Sequence, residues 1–324
     1  PGCGRIIGEP GARFGIHGAH PLEDDEGGDG HERRRGTRQA PGTPRQRGSE
    51  HGPIHAPRVR RYPSPVLTQL TSAIPEPSVA IEHLGLPFRE ALAWCSAEGA
   101  RAMQLSATMP ETRVRTMDRS ERRGIGDAVR ASGALTTGID CILPPEHLAD
   151  PSRADTAAQA LFAAVEWAEL LGRLTVTAWL PAGDGHATAL AVRTAVIAEA
   201  QRRGVTLAVL GGGHDADGPA AIAIDPPVLL AAGESVDAAC ARAGNRLAGL
   251  RLVDLLRSGH RGPVLQPGDA RLDALALAAT LATIGFRAHP VIDARGWSDP
   301  RGGVVGTLDR WLDRPAPPRS AAHA

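Results

Sequence analysis

Residues 150–180 read DPSRADTAAQALFAAVEWAELLGRLTVTAWL, and the unit that decides the fold lies inside this stretch. Asp150 before Pro151 marks a helix start. An aspartate at the N-cap accepts from the first unpaired N–H groups, and proline suits the first turn because its missing N–H would have no partner there. Leu161, Ala164, Val165, Ala168 and Leu171 then recur at three- and four-residue spacing, which puts them on one buried face. Gly172 stops the helix, since glycine enters the left-handed conformation of a C-terminal cap without a Cβ penalty. Leu174–Leu180 follows as an apolar run rich in β-branched residues, the pattern of a strand.

That order recurs along the chain. Gly99, Gly133, Gly172, Gly204, Gly244 and Gly285 each close a helical pattern, and a strand begins two to four positions later. The candidate strands are Val79–Ile81, Ala102–Leu105, Leu135–Ile142, Leu174–Leu180, Thr206–Leu210, Ala220–Ile224, Leu247–Leu252 and His289–Ile292. Pro87 fits a first turn ahead of Phe88, Leu92 and Cys95 on one face, and Asp118 with Glu121 has capping-box spacing. Eight such strands predict an α/β protein, a (β/α)8 TIM barrel, whose usual size is about 250 residues. A doubly wound sheet fits less well, because no GxGxxG follows the first strand. One unit differs: the link Gly211–Pro219 is too short and glycine-rich for a crossover helix, which needs about a dozen residues. The outer ring is therefore expected to lack its helix between strands five and six. The flank left open there is a candidate homo-oligomer surface, or a place for the N-terminal segment to cover.

Composition narrows the chemistry. The 324 residues include 36 basic side chains, all arginine. Without lysine there is no Schiff base, no pyridoxal phosphate attachment and no P-loop lysine. Codon bias in a GC-rich genome accounts for most of that substitution. The 36 acidic residues cancel the charge, so no field recruits nucleic acid or an anionic membrane. No apolar run reaches the roughly 18 residues of a membrane span. Cys3, Cys95, Cys141 and Cys240 lack CxxC spacing, which suits a reducing, cytoplasmic setting. Residues 1–75 are crowded with Gly, Pro and Arg and hold five of the twelve histidines. Too little apolar surface offsets their ordering entropy, so a disordered extension is expected over 1–75, the barrel over 76–316 and a disordered tail over 317–324.

Several segments carry a family resemblance. Pro87-Phe88-Arg89-Glu90-Ala91-Leu92 and Glu98-Gly99-Ala100-Arg101-Ala102-Met103-Gln104-Leu105 resemble an opening helix and second strand of the xylose-isomerase-like TIM barrels, the sugar phosphate isomerases and epimerases. Asp140-Cys141-Ile142-Leu143-Pro144-Pro145-Glu146-His147 is similar to that family's third strand and loop, Ala223-Ile224-Asp225-Pro226-Pro227 to its sixth strand, and Leu250-Arg251-Leu252-Val253-Asp254 to its seventh. The resemblance runs from about Ser78 to Arg314. It implies a carbohydrate-like small-molecule ligand and one divalent metal, Mn²⁺ or Zn²⁺, held by Glu, Asp, His and Glu at the ends of strands five to eight. Here those positions are Leu210, Asp225, Arg251 and Asp293. Two of four ligands are lost, so the expectation shifts towards no metal.

Barrel active sites lie at the C-terminal strand ends. Asp225 and Asp293 are the candidate acid–base pair and the two remaining metal ligands. Arg251 is the candidate to stabilise enolate charge, or to replace the metal as the cation beside them. For Asp225, Arg251 and Asp293 the plainer alternative is a structural ion-pair cluster at the rim. Asp140, His147, Trp179, His214 and Trp297 are candidates for substrate contact, with loop packing as the plainer alternative for His147 and core packing or a barrel plug for Trp179 and Trp297. Cys141 reads as a buried small hydrophobe. The resulting expectation is an isomerase- or epimerase-like barrel that binds a small sugar, polyol or sugar acid. The alternative is a non-catalytic binding or scaffold barrel that has lost its metal site.

Overall fold

The computed structural model describes residues 73–181, 186–211, 218–264 and 270–312. Seven strands come first: β1 (Ser78–Ala80), β2 (Ala102–Ser106), β3 (Leu135–Cys141), β4 (Thr175–Ala178), β5 (Leu207–Gly211), β6 (Ala221–Ile224) and β7 (Leu247–Leu250). A small antiparallel hairpin, β8 (Asp254–Leu255) with β9 (Arg261–Gly262), follows and was not foreseen. The eighth barrel strand is β10 (Val291–Ile292). The barrel strands are parallel in the order β10-β1-β2-β3-β4-β5-β6-β7. A parallel bridge between Arg251 and Val291 closes the ring, and Leu252 N donates to Val291 O at 2.7 Å. This is the expected (β/α)8 barrel.

The punctuation behaves as its chemistry requires. All six helix-ending glycines have positive φ, from 53° at Gly244 to 107° at Gly172. Asp118 and Glu121 form a complete capping box on helix Arg119–Ala131. Asp150 caps helix Pro151–Leu170 by accepting from Ser152 N at 2.9 Å. Pro87 sits one position earlier than expected, as the N-cap of helix Phe88–Ala97. Of the link between β5 and β6, residues 212–217 lie outside the described residues, and the described part holds no helix. After β6 come two short helices, Pro226–Ala231 and Val236–Ala243. The extension expected over 1–75 lies outside the described residues except for 73–75, and the tail 317–324 lies wholly outside. No helix among the described residues is long and apolar enough to cross a membrane.

The two faces of the strands differ sharply. Val79, Met103, Leu105, Ile139, Val176, Leu207, Val209, Ile222 and Ile224 point outwards into one large core shared with the helices. Bulky apolar residues there are removed from water at about 25 cal/mol per Å². The lumen instead receives Gln104, Asp140, Thr175, Thr177, Ala223, Gly249 and Arg251. Barrel interiors are usually filled by layers of branched apolar side chains. This one is lined by small and polar groups, which leaves room inside it.

Candidate functional site

Three levels can be followed up the lumen. At mid-height Arg251, on the strand that closes the ring, reaches the carboxylate of Asp140 with Nη2 to Oδ1 at 2.5 Å. β7 and β3 are four places apart in the ring of eight, so this ion pair spans the barrel from wall to wall. Gln104 Nε2 donates to the same oxygen at 2.5 Å. Arg251 is 2% exposed. Burial opposes its charge, but Asp140, Asp293 and Asp225 together outweigh that, and its affinity for the proton rises. Arg251 was expected beside Asp225 and Asp293 as an enolate stabiliser. Asp293 and Asp225 do act on its charge, while its side-chain hydrogen bond among the described residues goes to Asp140, which braces it across the lumen.

At the C-terminal mouth Asp225 and Asp293 do come together, as the strand-end rule requires. What joins them is two arginines. Arg261, from the β8–β9 hairpin, donates Nη1 to Asp225 Oδ2 at 2.7 Å and Nη2 to Asp293 Oδ2 at 3.3 Å. Arg295 donates Nη2 to Asp293 Oδ2 at 2.7 Å and its backbone N to Asp293 Oδ1 at 3.0 Å. Arg261 Nε also reaches Arg295 O at 3.3 Å. Burial alone would raise the Asp293 carboxyl, yet Arg295, Arg251 and Arg261 hold it well below the usual carboxylate range. Asp225 Oδ1 is buried and meets no donor among the described residues. Both arginine side chains stay about one-fifth open, at 21% and 22%.

The surroundings are mixed. Trp179 is half-buried and carries the Arg295 guanidinium 5.4 Å from its ring centroid, a cation–π arrangement. Beneath it Leu210 packs with Ala208 and Ala223 in a small apolar cluster, so the strand-five position is built as lumen core. Glu82 and His83 stand after β1, with the ring Nε2 3.7 Å from the carboxylate, and Thr108 donates to Glu82 at 3.0 Å. Trp297 is corrected as a ring-stacking candidate: it belongs to the main core, with its ring over Gly303. His147 lies in a different cleft of about 440 Å³ beside Thr108, Arg113, Arg115 and Arg153, with Nε2 3.0 Å from Arg153 Nη1. His214 lies outside the described residues. Asp254 is buried and organises the loop, its Oδ1 accepting from Leu255 N, Arg271 N and Leu272 N. Cys141 is the expected buried thiol, pushed up to about 12 by burial first and then by Asp140 and Glu82.

These donors do not fit a divalent metal. Among the described residues no group of three His, Cys, Asp or Glu side chains converges for one. Two guanidiniums already occupy the space between the surviving carboxylates, and they would repel a dication. Sequence reasoning missed Arg261 and Arg295. The Asp293–Arg295 spacing was a usable signal for the second, whereas Arg261 arrives on a hairpin that no pattern announced.

No family model matches the chain, and no curated protein matches it. Solved structures do. A xylose isomerase domain protein from Planctomyces limnophilus superposes with a TM-score of 0.56 at 16% identity, over 72% of this chain and 94% of that one. A D-psicose 3-epimerase from Clostridium cellulolyticum H10 gives 0.54 at 13%, over 73% and 95%. A probable 3-DHS dehydratase from Bacillus anthracis gives 0.57 at 6%, over 72% and 97%. Isomerase, epimerase and dehydratase names share this likeness, so it speaks for the barrel and not for one reaction.

Proposed function

We propose that the chain binds a small sugar acid or polyol at the C-terminal mouth through Arg261, Arg295 and Asp225, without a divalent metal and without the two-carboxylate proton relay. One observation carries this reading: the two arginines fill the gap between Asp225 and Asp293. A general base works best with a pKa near the operating pH, and Asp293 is held far below it. Leu210 offers no second carboxylate. A ligand carboxylate suits the N–H groups of the paired guanidiniums, which match such a group in a planar fork. Asp225 serves by holding Arg261 in place, and half-buried Trp179 supplies an apolar wall.

Calorimetry with two probes tests the reading. D-gluconate is expected to bind saturably, and Arg295→Ala to weaken it by about tenfold, the scale of one charge-assisted hydrogen bond. Mn²⁺ is expected to give no binding heat. Micromolar Mn²⁺ binding abolished by Asp225→Ala would sink the proposal, and so would the absence of gluconate and ribitol binding.

A second reading keeps metal-free isomerase chemistry and is favoured by Glu82 and His83. Their side chains are 23% and 29% exposed, and His83 is among the charges that lower Asp293. Glu82 would take a proton from the carbon beside a ketose carbonyl, and His83 would carry a proton to the oxygen. Deuterium uptake into D-fructose, lost in Glu82→Gln, would favour this reading over pure binding.

A further inference from the structure

Beneath the Arg251–Asp140 strut the lumen holds a cavity of about 190 Å³, at the end away from the mouth. Gln104, Thr137, Thr175, Thr177, Gly249 and Arg251 line it, and the segment Arg287–His289 just before β10 forms its rim. We propose that this cavity is a second, separate binding site, for a small monovalent anion of halide to acetate size.

Charge selects the sign of the ligand. Two arginines and a histidine stand among the lining residues and no carboxylate does. Arg251 uses Nη2 on Asp140, whereas its buried Nη1 meets no partner among the described residues. A buried guanidinium N–H left unpaired is costly, and Arg251 is one of the residues that line the cavity. An anion there meets the positive potential of Arg251, and exposed Arg287 supplies more at the rim. Hydroxyls select the rest. Thr175 and Thr177 are on the wall, and Thr177 Oγ1 lies 3.9 Å from where a Cβ on Gly249 would stand. Gly249 thus leaves open the space that any larger residue would take from a ligand.

Size excludes the mouth's own ligand class. A six-carbon sugar acid with its hydration is too large for a cavity of about 190 Å³ beside an arginine, since drug-sized pockets start at about 300 Å³. The site is therefore independent of the sugar-acid proposal, and either can fail without the other.

Bromide is the probe. At constant ionic strength it is expected to raise the unfolding temperature saturably, and a bromide-soaked crystal is expected to show anomalous density between Arg251 and Thr177. Thr175→Val with Thr177→Val, nearly the same shape, is expected to weaken the effect by about tenfold. Arg287→Gln, at an exposed position, is expected to weaken it several-fold and serves if the lumen variant does not fold. Arg295→Ala should leave it unchanged. Water alone in the cavity, bromide only at the mouth arginines, or equal bromide affinity in Arg287→Gln and the parent would each overturn the proposal.

Discussion

The two ends of the lumen solve the same problem in opposite ways. At the mouth, buried carboxylates just after β6 and β10 draw in two guanidiniums, one from the β8–β9 hairpin and one from the loop after β10, so charge is met by charge. At the floor no carboxylate stands among the described lining residues, and threonine hydroxyls and glycine leave a space under buried Arg251. The mouth is assembled from distant parts of the chain and the floor from the strands themselves. Where charges are matched internally a ligand must compete for them. Where a donor is left over, a ligand completes the structure.

The strut between the two ends gives the strongest test. Asp140→Ala strands the Arg251 guanidinium in the lumen, and a broken buried pair costs about 3–5 kcal/mol. Urea denaturation should show a loss of that size, whereas Asp140→Leu with Arg251→Met, which removes both charges, should recover most of it. If the double variant is as unstable as the single one, the ends are not separated by an electrostatic strut. Gly249→Ala probes the floor alone. Its Cβ would meet Ala223 Cβ at 3.0 Å, an overpacking cost of about 1–3 kcal/mol, visible as a lower melting temperature with gluconate binding at the mouth unchanged.

Acid probes the mouth alone. The folded pKa of Asp293 is depressed, so its stabilising contribution is present above the unfolded value of about 4 and is lost as pH falls below it. Asp254 is shifted the other way, chiefly by burial and against three backbone N–H groups, so it opposes folding once pH rises above the unfolded value. Asp293→Asn should therefore flatten the acid limb of a melting-temperature profile, and Asp254→Asn should not. The smallest effect is expected at the surface: the Arg130–Asp127 pair is exposed on both sides, and Asp127→Ala should change stability by less than about 0.5 kcal/mol.

What was legible in the sequence was local. A helix stop at Gly172 or a capping box at Asp118 involves residues a few positions apart, and each was found where its pattern put it. Asp225 and Asp293 were legible too, because strand ends of a barrel share one face. Their partners were not. In a chain whose 36 basic residues are all arginine, one more arginine carries no signal, and Arg261 is aimed by a hairpin whose strands are two residues each. The hydrogen-bond partner of Arg251 was not legible for a related reason. Its position in the strand was right, but which carboxylate it meets depends on the width of the lumen, and that is set by all eight strands together.

Arg251 has one more consequence. Its backbone makes the bridge that joins β7 to β10, and its side chain crosses to the far wall. Zipping the ring shut and burying the charge are thus one event, in one residue. The last stage of assembly is then all-or-none at this point: a barrel open at the seam keeps its guanidinium wet, and a closed one must already have found Asp140. Amide exchange at Leu252, whose N–H crosses the seam, should accordingly proceed only through the same opening that exposes the strut.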